Sequence, residues 1–330
     1  MSQTKAQLIA SDASFTISSD GSFNSVIVGK GTNSVSTNTV LGVTALDAAV
    51  TGGFNTAIGH EALAGNTTGH NSIGIGKQSL YTKQSGNPSI AIGYQAMKDT
   101  DAGSNSDSSQ NNIAIGYLSM SNGTVTGNDN TSLGNESMYN ATTAHSNSVV
   151  GYKAGFNLTT GDKNTVLGYQ ALYAGALAEE NVAVGYKANY SVTTGTRNVA
   201  LGYESMLNST DAQYNVAVGY QAGRDVASSS MNVHIGYEAG YDTPGGSNTT
   251  VGARAGKNLT SGSNNIIIGY NAQASTTTTS NEVTIGDTAI TKFRIPGINV
   301  TLKDNGGTPT QGHVLTVDGN GEAGFAAASG

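Results

Sequence analysis

Short alternations of apolar and polar residues recur along the chain, and each ends in an aliphatic residue followed by glycine. In the segment 215–223, NVAVGYQAG, Val216 and Val218 occupy one set of alternate positions, while Asn215 and Ala217 occupy the other. Alternate residues of a strand point to opposite faces, so the pattern predicts a strand with the two valines on one face. The first strand position is β-branched in all copies but one, which also favours a strand.

The motif occurs sixteen times, always with Ile, Leu or Val before the glycine and with Ala, Ser or Thr three residues after it. From Gly134 to Gly286, successive motif glycines are 17 residues apart, except for one step of 16. Asn lies four residues before the glycine in twelve copies. Such a period indicates stacked supersecondary units, each too small to bury its own apolar face. Positions within a repeat are numbered here from its glycine, which is position 0.

The glycines and asparagines of the repeat are predicted to be structural. Aligned asparagines in a solenoid bond to one another and to the turn backbone, although such residues can also bind cations or sugars. The glycines are Gly59, Gly76, Gly93, Gly116, Gly134, Gly151, Gly168, Gly185, Gly202, Gly219, Gly236, Gly252 and Gly269, and the asparagines are Asn147, Asn164, Asn181, Asn198 and Asn215.

The repeat predicts an all-β fold, a parallel β-solenoid of about 16 coils. Seventeen residues per turn predict a narrow coil of two short strands joined by turns, with only small or medium side chains inside. Little polarity remains on the other strand face, so that face should be covered as well. We therefore expect identical chains to pack around an axis as a homotrimer. The expected divisions are an attachment segment at 1–21, the shaft at 22–287 and a C-terminal cap or tip at 288–330.

The composition is typical of a solenoid and restricts the kinds of partner and chemistry that are expected. Glycine is abundant, with 45 residues, and charged residues make up only 11% of the chain. The net charge of −7 argues against a nucleic-acid partner, and the absence of cysteine removes disulfides and thiolate chemistry. No signal peptide and no apolar stretch of membrane-spanning length is recognisable. We therefore expect that the protein does not insert into a membrane. We expect it to be made in the host cytoplasm and released by lysis, as virion proteins are.

The units NTAIG at 55–59, NSVVGYKA at 147–154 and NVAVGYQA at 215–222 resemble the head repeats of YadA-type trimeric autotransporter adhesins. They are equally similar to the NTAIGYQAL repeats of tail fibres and other appendages of marine bacteriophages. The resemblance implies a trimeric left-handed parallel β-roll, and it covers most of the chain. The adhesins' secretion signal and membrane anchor are not found, and the period of 17 is longer than theirs. Both differences favour the phage family.

Two other classes on solenoid folds fit the sequence less well. A hexapeptide acyltransferase would repeat its aliphatic and small-residue signature three times per coil, but the signature appears once here. An ice-binding solenoid needs a continuous threonine array, which the Val and Ile copies of the same strand position interrupt. No cofactor or metal site is predicted, because the five histidines show no paired-ligand spacing and the acidic loop 98–110 lacks the oxygen spacing of an EF-hand.

Tyrosine follows the motif glycine in nine copies, so stacked coils should align the rings in a stripe. The stripe is a candidate ligand surface for carbohydrate, or a structural ladder of ring upon ring. Its central members are Tyr152, Tyr169, Tyr186, Tyr203, Tyr220 and Tyr237.

The sequence thus predicts a non-enzymatic phage tail fibre that mediates host attachment from the virion surface. Its expected partners are two sister chains, another virion protein bound through 1–21, and a host receptor, for which a glycan is one candidate. A fibre or knob on the capsid surface is the alternative, and a bacterial trimeric adhesin head is a weaker one.

Overall fold

The computed structural model describes residues 21–23, 26–85, 88–100, 109–295, 297, 300–303, 313–317 and 322–327. Every regular element within these residues is a strand. The predicted attachment segment lies outside them except for Gly21, and so do residues 101–108 of the acidic loop.

The shaft is built from seventeen short strands, one for each repeat unit plus one before them. They are β1 (Gly21–Phe23), β2 (Val26–Gly29), β3 (Thr39–Gly42), β4 (Thr56–Ile58), β5 (Ile73–Ile75), β6 (Ile90–Ile92), β7 (Ile113–Ile115), β8 (Thr131–Leu133), β9 (Ser148–Val150), β10 (Thr165–Leu167), β11 (Val182–Val184), β12 (Val199–Leu201), β13 (Val216–Val218), β14 (Val233–Ile235), β15 (Thr249–Val251), β16 (Ile266–Ile268) and β17 (Val283–Ile285).

Strands β3 to β17 form one parallel stack in which each residue pairs with its equivalent in the next repeat. Val199 pairs with Val216, for example, and Ala200 pairs with Ala217. The parallel β-solenoid prediction is confirmed, with about 14 turns rather than the 16 coils expected. The Gly29 unit is not a coil of this stack, because β2 pairs antiparallel with β3 and with β1. The step from Gly29 to Gly42 is only 13 residues, too short for a full coil.

Each coil has one strand instead of the two expected. The rest of the coil is a series of turns, because residues at positions +2 and +4 adopt left-handed conformations, such as Gln170 (φ 52°) and Leu172 (φ 51°). These turns are still bonded from coil to coil. The N–H of Leu172 donates to the carbonyl of Ala188, and that of Ala174 donates to the carbonyl of Tyr190, both at 3.0 Å.

The middle residue of each strand from β3 to β17 points into the coil, and it is small or medium in size except His234 and Ile267. Ala217 is fully buried, while Val216 and Val218 on the opposite face are partly exposed, which confirms the predicted alternation. Larger interior side chains alternate between two positions. In one coil Leu172 fills position +4, and position +7 is Gly175. In another coil Leu158 fills position +7, and position +4 is Gly155. Most coils therefore hold one large side chain at one of these two positions, which fits the narrow interior.

The chain ends in a small separate sheet in the order β18, β19, β21, β20. Strands β18 and β19 pair antiparallel, β19 and β21 pair parallel, and β20 and β21 pair antiparallel. These strands are β18 (Lys292–Ile295), β19 (Val300–Lys303), β20 (His313–Val317) and β21 (Glu322–Ala327).

Candidate functional site

The predicted asparagines form a buried ladder inside the shaft. The side-chain oxygen of Asn181 accepts from both the backbone N–H and the side-chain amide of Asn198, each at 3.0 Å. The amide of Asn198 also donates to the carbonyl of Ala212 at 2.7 Å. Asn147, Asn164, Asn181, Asn198 and Asn215 are all almost completely buried and all take part in this pattern. Their donors and acceptors are thus used within the chain.

The predicted glycines form a second continuous row. From Gly59 to Gly269 every motif glycine has a φ between 122° and 145°. At Gly202, an added Cβ would lie 2.3 Å from the carbonyl oxygen of Gly219 in the next coil. The row marks a line along which the backbones of successive coils approach too closely for a side chain.

The outer face of the strand stack is uncharged along its whole length and aliphatic at one of its two positions. We call this surface, positions −3 and −1 of β3 to β17, the strand face. Position −1 is Ile, Leu or Val in every coil, position −3 is Ile, Val, Thr or Ser, and no residue at either position is charged. Leu167 and Ile285 remain 50% and 53% exposed. A strand of three residues spans about 10 Å and 14 turns at about 4.8 Å span about 67 Å, so the face covers roughly 700 Å².

The predicted tyrosine stripe lies at position +1, along the edge of the strand face. The six rings from Tyr152 to Tyr237 form one uninterrupted stack, with centroids 4.8 to 5.3 Å apart and planes within 25° of parallel. Burial raises the pKa of Tyr203, and the charge of Glu204 adds to this effect. The faces of the inner rings are covered by neighbouring rings, so solvent reaches their rims and hydroxyl groups. A sugar cannot stack face-on against them.

A second aromatic stack was not predicted. Tyr139, Phe156, Tyr173 and Tyr190 at position +5 stack with centroids 5.1 Å apart. Lysines at position +2 lie between the two stacks, and the ammonium of Lys187 is 5.4 Å from the Tyr186 ring and 5.3 Å from the Tyr190 ring. The 17-residue spacing of these aromatics was visible in the sequence, but position +5 also holds Ala, Ser, Leu, Lys and Arg.

Ion pairs on the surface also follow the repeat. The guanidinium of Arg197 lies 2.7 Å from the carboxylate of Glu180, and it donates to the hydroxyl of Tyr214 at 2.6 Å. Hydrogen bonding from Arg197 holds the pKa of Glu180 below its ordinary value. Because these groups are well exposed, the pair is a minor contribution to stability.

Two interior polar residues depart from the repeat. His234 occupies the middle position of β14, where it is fully buried, and burial lowers its pKa to about 4. Lys83 is also fully buried, and its ammonium donates to the carbonyl of Ser109 at 2.9 Å, beside the acidic loop. Neither position was predicted to be structurally special.

Within the described residues, no three His, Asp or Glu side chains are arranged to hold a metal ion. That part of the chain also contains no helix of the length and apolarity needed to span a membrane. The chain matches no protein-family model, no curated protein and no solved structure.

Proposed function

We propose that this protein is a non-enzymatic structural fibre of a bacteriophage particle, a tail fibre that attaches the virion to its host. In this proposal three chains pack as a left-handed β-roll trimer with their strand faces toward a common axis. The observation that carries the proposal is the uncharged strand face on a long parallel solenoid. The similarity of the repeats to phage appendages supplies the biological setting.

The size of the strand face supports self-association. The largest apolar patch on a soluble monomer is typically about 300–600 Å², and the strand face is somewhat larger. In a trimer the face is divided between two neighbours, so each chain contributes about 350 Å² to each contact, less than the roughly 800 Å² of a standard interface. Because every coil presents equivalent positions at regular heights, sister chains can meet in register along the whole shaft. A closed symmetric oligomer covers such a face without leaving a copy exposed.

The proposed role follows from rigidity and valency. A rod of about 67 Å holds three identical distal surfaces away from the particle, and simultaneous contacts turn weak binding into firm adhesion. Residues 1–21 dock on another virion protein, and the opposite end faces a host receptor such as a surface glycan. The chain works at the virion surface without a cofactor.

The packing is tested by two leucines with the same exposure. Leu167 lies on the strand face and Leu177 lies on a turn, and each is 50% exposed. Leu167→Glu places three carboxylates together at the proposed axis, where burying unpaired charge is strongly unfavourable. Leu177→Glu leaves its charge in water. We expect L167E to lower the solution mass to that of one chain while L177E keeps the wild-type mass. Equal masses for the two variants would contradict the packing.

The virion role needs a separate experiment, because an oligomer can form without it. Deletion of 1–21 should leave the oligomer intact but abolish its incorporation into phage particles, measured by immunoblotting of purified virions. Normal incorporation of the truncated chain would overturn the attachment assignment.

A further inference from the structure

One coil of the shaft is shorter than its neighbours. The step from Gly236 to Gly252 is 16 residues, and the adjacent steps are 17. The flanking strands still pair residue for residue, with Val233 opposite Thr249. The turns of this coil must therefore absorb the missing residue. We call residues 232–247 the short coil.

The backbone bonds of the asparagine ladder continue through the short coil, from Asn232 N to Asn215 Oδ1 and from Asn248 N to Asn232 Oδ1, but one side-chain bond is lost there. The side-chain amide of Asn215 donates to the carbonyl of Ser229, and that of Asn248 donates to the carbonyl of Gly262, each at 2.9 Å. The corresponding amide nitrogen of Asn232 is buried and has no hydrogen-bond partner. A buried donor without a partner destabilises the fold.

One backbone bond between turns is also missing at this place in the described chain. The N–H of Asp225 donates to the carbonyl of Tyr241 at 3.0 Å, which joins the short coil to the coil before it. Within the described chain, the equivalent N–H of Asp242 makes no backbone bond to the coil after it. The bonds from Gly240 N to Ala255 O and from Arg254 N to Tyr237 O are kept, so the short coil has one turn bond fewer to its C-terminal neighbour than to its N-terminal one.

The apolar core is divided there as well. One buried cluster extends as far as Val226, and a second begins at Ala255. Between them, His234 Nδ1 lies 2.9 Å from the hydroxyl of Thr250. His234 Nε2 and the hydroxyl of Thr243 are buried without partners. A polar layer therefore replaces the continuous packing found in the preceding coils.

Surface charges bridge the division from outside. The carboxylate of Glu238 lies 3.2 Å from the guanidinium of Arg254 and 2.5 Å from the ammonium of Lys257. The hydrogen bond from Lys257 lowers the pKa of Glu238. These ion pairs join the short coil to the next coil, where the interior contacts between the two coils are less complete.

We propose that the short coil divides the shaft into two units that open separately, and that mild acid releases the C-terminal unit. In a solenoid each coil contacts only its neighbours, so a weak interface between two coils sets where the stack opens. Protonation of the His234 ring would place a charge among Gly223, Gly240 and Thr250, none of which titrates.

The pH range follows from His234. Its pKa is about 4 in the closed fold, against an ordinary value of 6.5, so the open form binds the extra proton at any pH between the two. The opening constant should rise about tenfold for each pH unit below 6.5, or about 100-fold by pH 4.5, and level off below pH 4. The titratable or charged groups on the outside of the coils packed against His234 are Tyr220, Arg224, Asp225, Tyr237, Glu238, Tyr241, Asp242, Arg254 and Lys257. The pKa of Glu238 is lowered in the fold, so its contribution is lost only at more acidic pH.

Hydrogen exchange of the full chain tests the proposal at pH 7 and pH 4.5, with rates corrected for intrinsic exchange. We expect protection of residues 249–268 to fall by about 100-fold while that of residues 182–201 is unchanged. The variant His234→Val with Thr243→Leu recreates the interior of the coil that has Val149, Gly155 and Leu158. It should remove most of the acid effect. Equal protection and an equal pH response in the two segments would overturn the division, and acid opening that persists in the variant would overturn the role of His234.

Discussion

Replacement of one motif glycine by alanine should damage the shaft far more than the same change at a turn glycine. Gly202 has a φ of 138°, a conformation that costs an L-residue about 2 kcal/mol. Its new Cβ would lie 2.3 Å from the carbonyl oxygen of Gly219, so the two coils must separate. Separation stretches the bonds from Gly219 N to Leu201 O and from Val199 N to Asn215 O, both 2.8 Å. At about 1 kcal/mol each, the total loss is about 4 kcal/mol.

Gly155 is the matched control. It also has positive φ, at 55°, but a Cβ there would make only ordinary contacts with side chains, with Val149 at 3.4 Å and Leu158 at 3.6 Å. A left-handed alanine costs about 1–2 kcal/mol, and the lower entropy of the unfolded chain returns part of this. We expect Gly155→Ala to cost about 1 kcal/mol, since Leu172 and Met206 occupy the same position in other coils.

The assay is urea unfolding of both variants, combined with hydrogen exchange of the strands that flank Gly202, because a repeat stack can open locally. Gly202→Ala should lose about 3 kcal/mol more than Gly155→Ala, and β12 and β13 should lose protection first. Equal losses in the two variants would refute the close-approach argument.

Three further changes test the ladders and turns. Asn198→Ala leaves buried donors and acceptors without partners and should lower the free energy of unfolding by about 2–4 kcal/mol. Its control, Asn208→Ala, removes an exposed bond to Asp225 and should cost under about 0.5 kcal/mol. Similar denaturant midpoints for the two variants would contradict the stabilising role of the ladder. Phe54→Asn should stabilise the fold by up to about 1 kcal/mol, because Phe54 is exposed with a φ of 61° and Asn tolerates that conformation; a lower thermal midpoint would contradict this. Tyr203→Ala removes two ring contacts, each of which stabilises the fold by about 0.5–1.5 kcal/mol, whereas Tyr203→Phe keeps both contacts. If the stack is structural, only the alanine variant should have a lower midpoint of thermal unfolding.

The sequence predicts the strand stack well, because the period and the alternation have direct physical causes. A narrow interior favours small or medium residues in the middle of each strand, which indicates that Ala217 points inward and Val216 outward. The period also gave the in-register stacking of equivalent residues. The Gly29 unit shows where the motif misleads, since a 13-residue step cannot close a coil even when its residues fit the pattern.

The turns were harder to predict because ordinary residues adopt left-handed conformations there. Leu172 has a φ of 51° and is fully buried. The free energy gained by burying its side chain offsets the cost of the left-handed backbone, which leucine otherwise avoids. The stack that contains Phe156 and Tyr173 has the same 17-residue period as the tyrosine stripe, but many other repeats have a non-aromatic residue at position +5. Lys83 and His234 show that interior polar residues follow local packing, which a repeat pattern does not contain.

The central claim is that the strand face is covered by two sister chains. Light scattering on the purified chain, coupled to size-exclusion chromatography, tests it most directly. We predict a solution mass of about three times the 33.4 kDa of one chain, with the hydrodynamic radius of a rod. A mass of 33.4 kDa at micromolar concentration would contradict the claim.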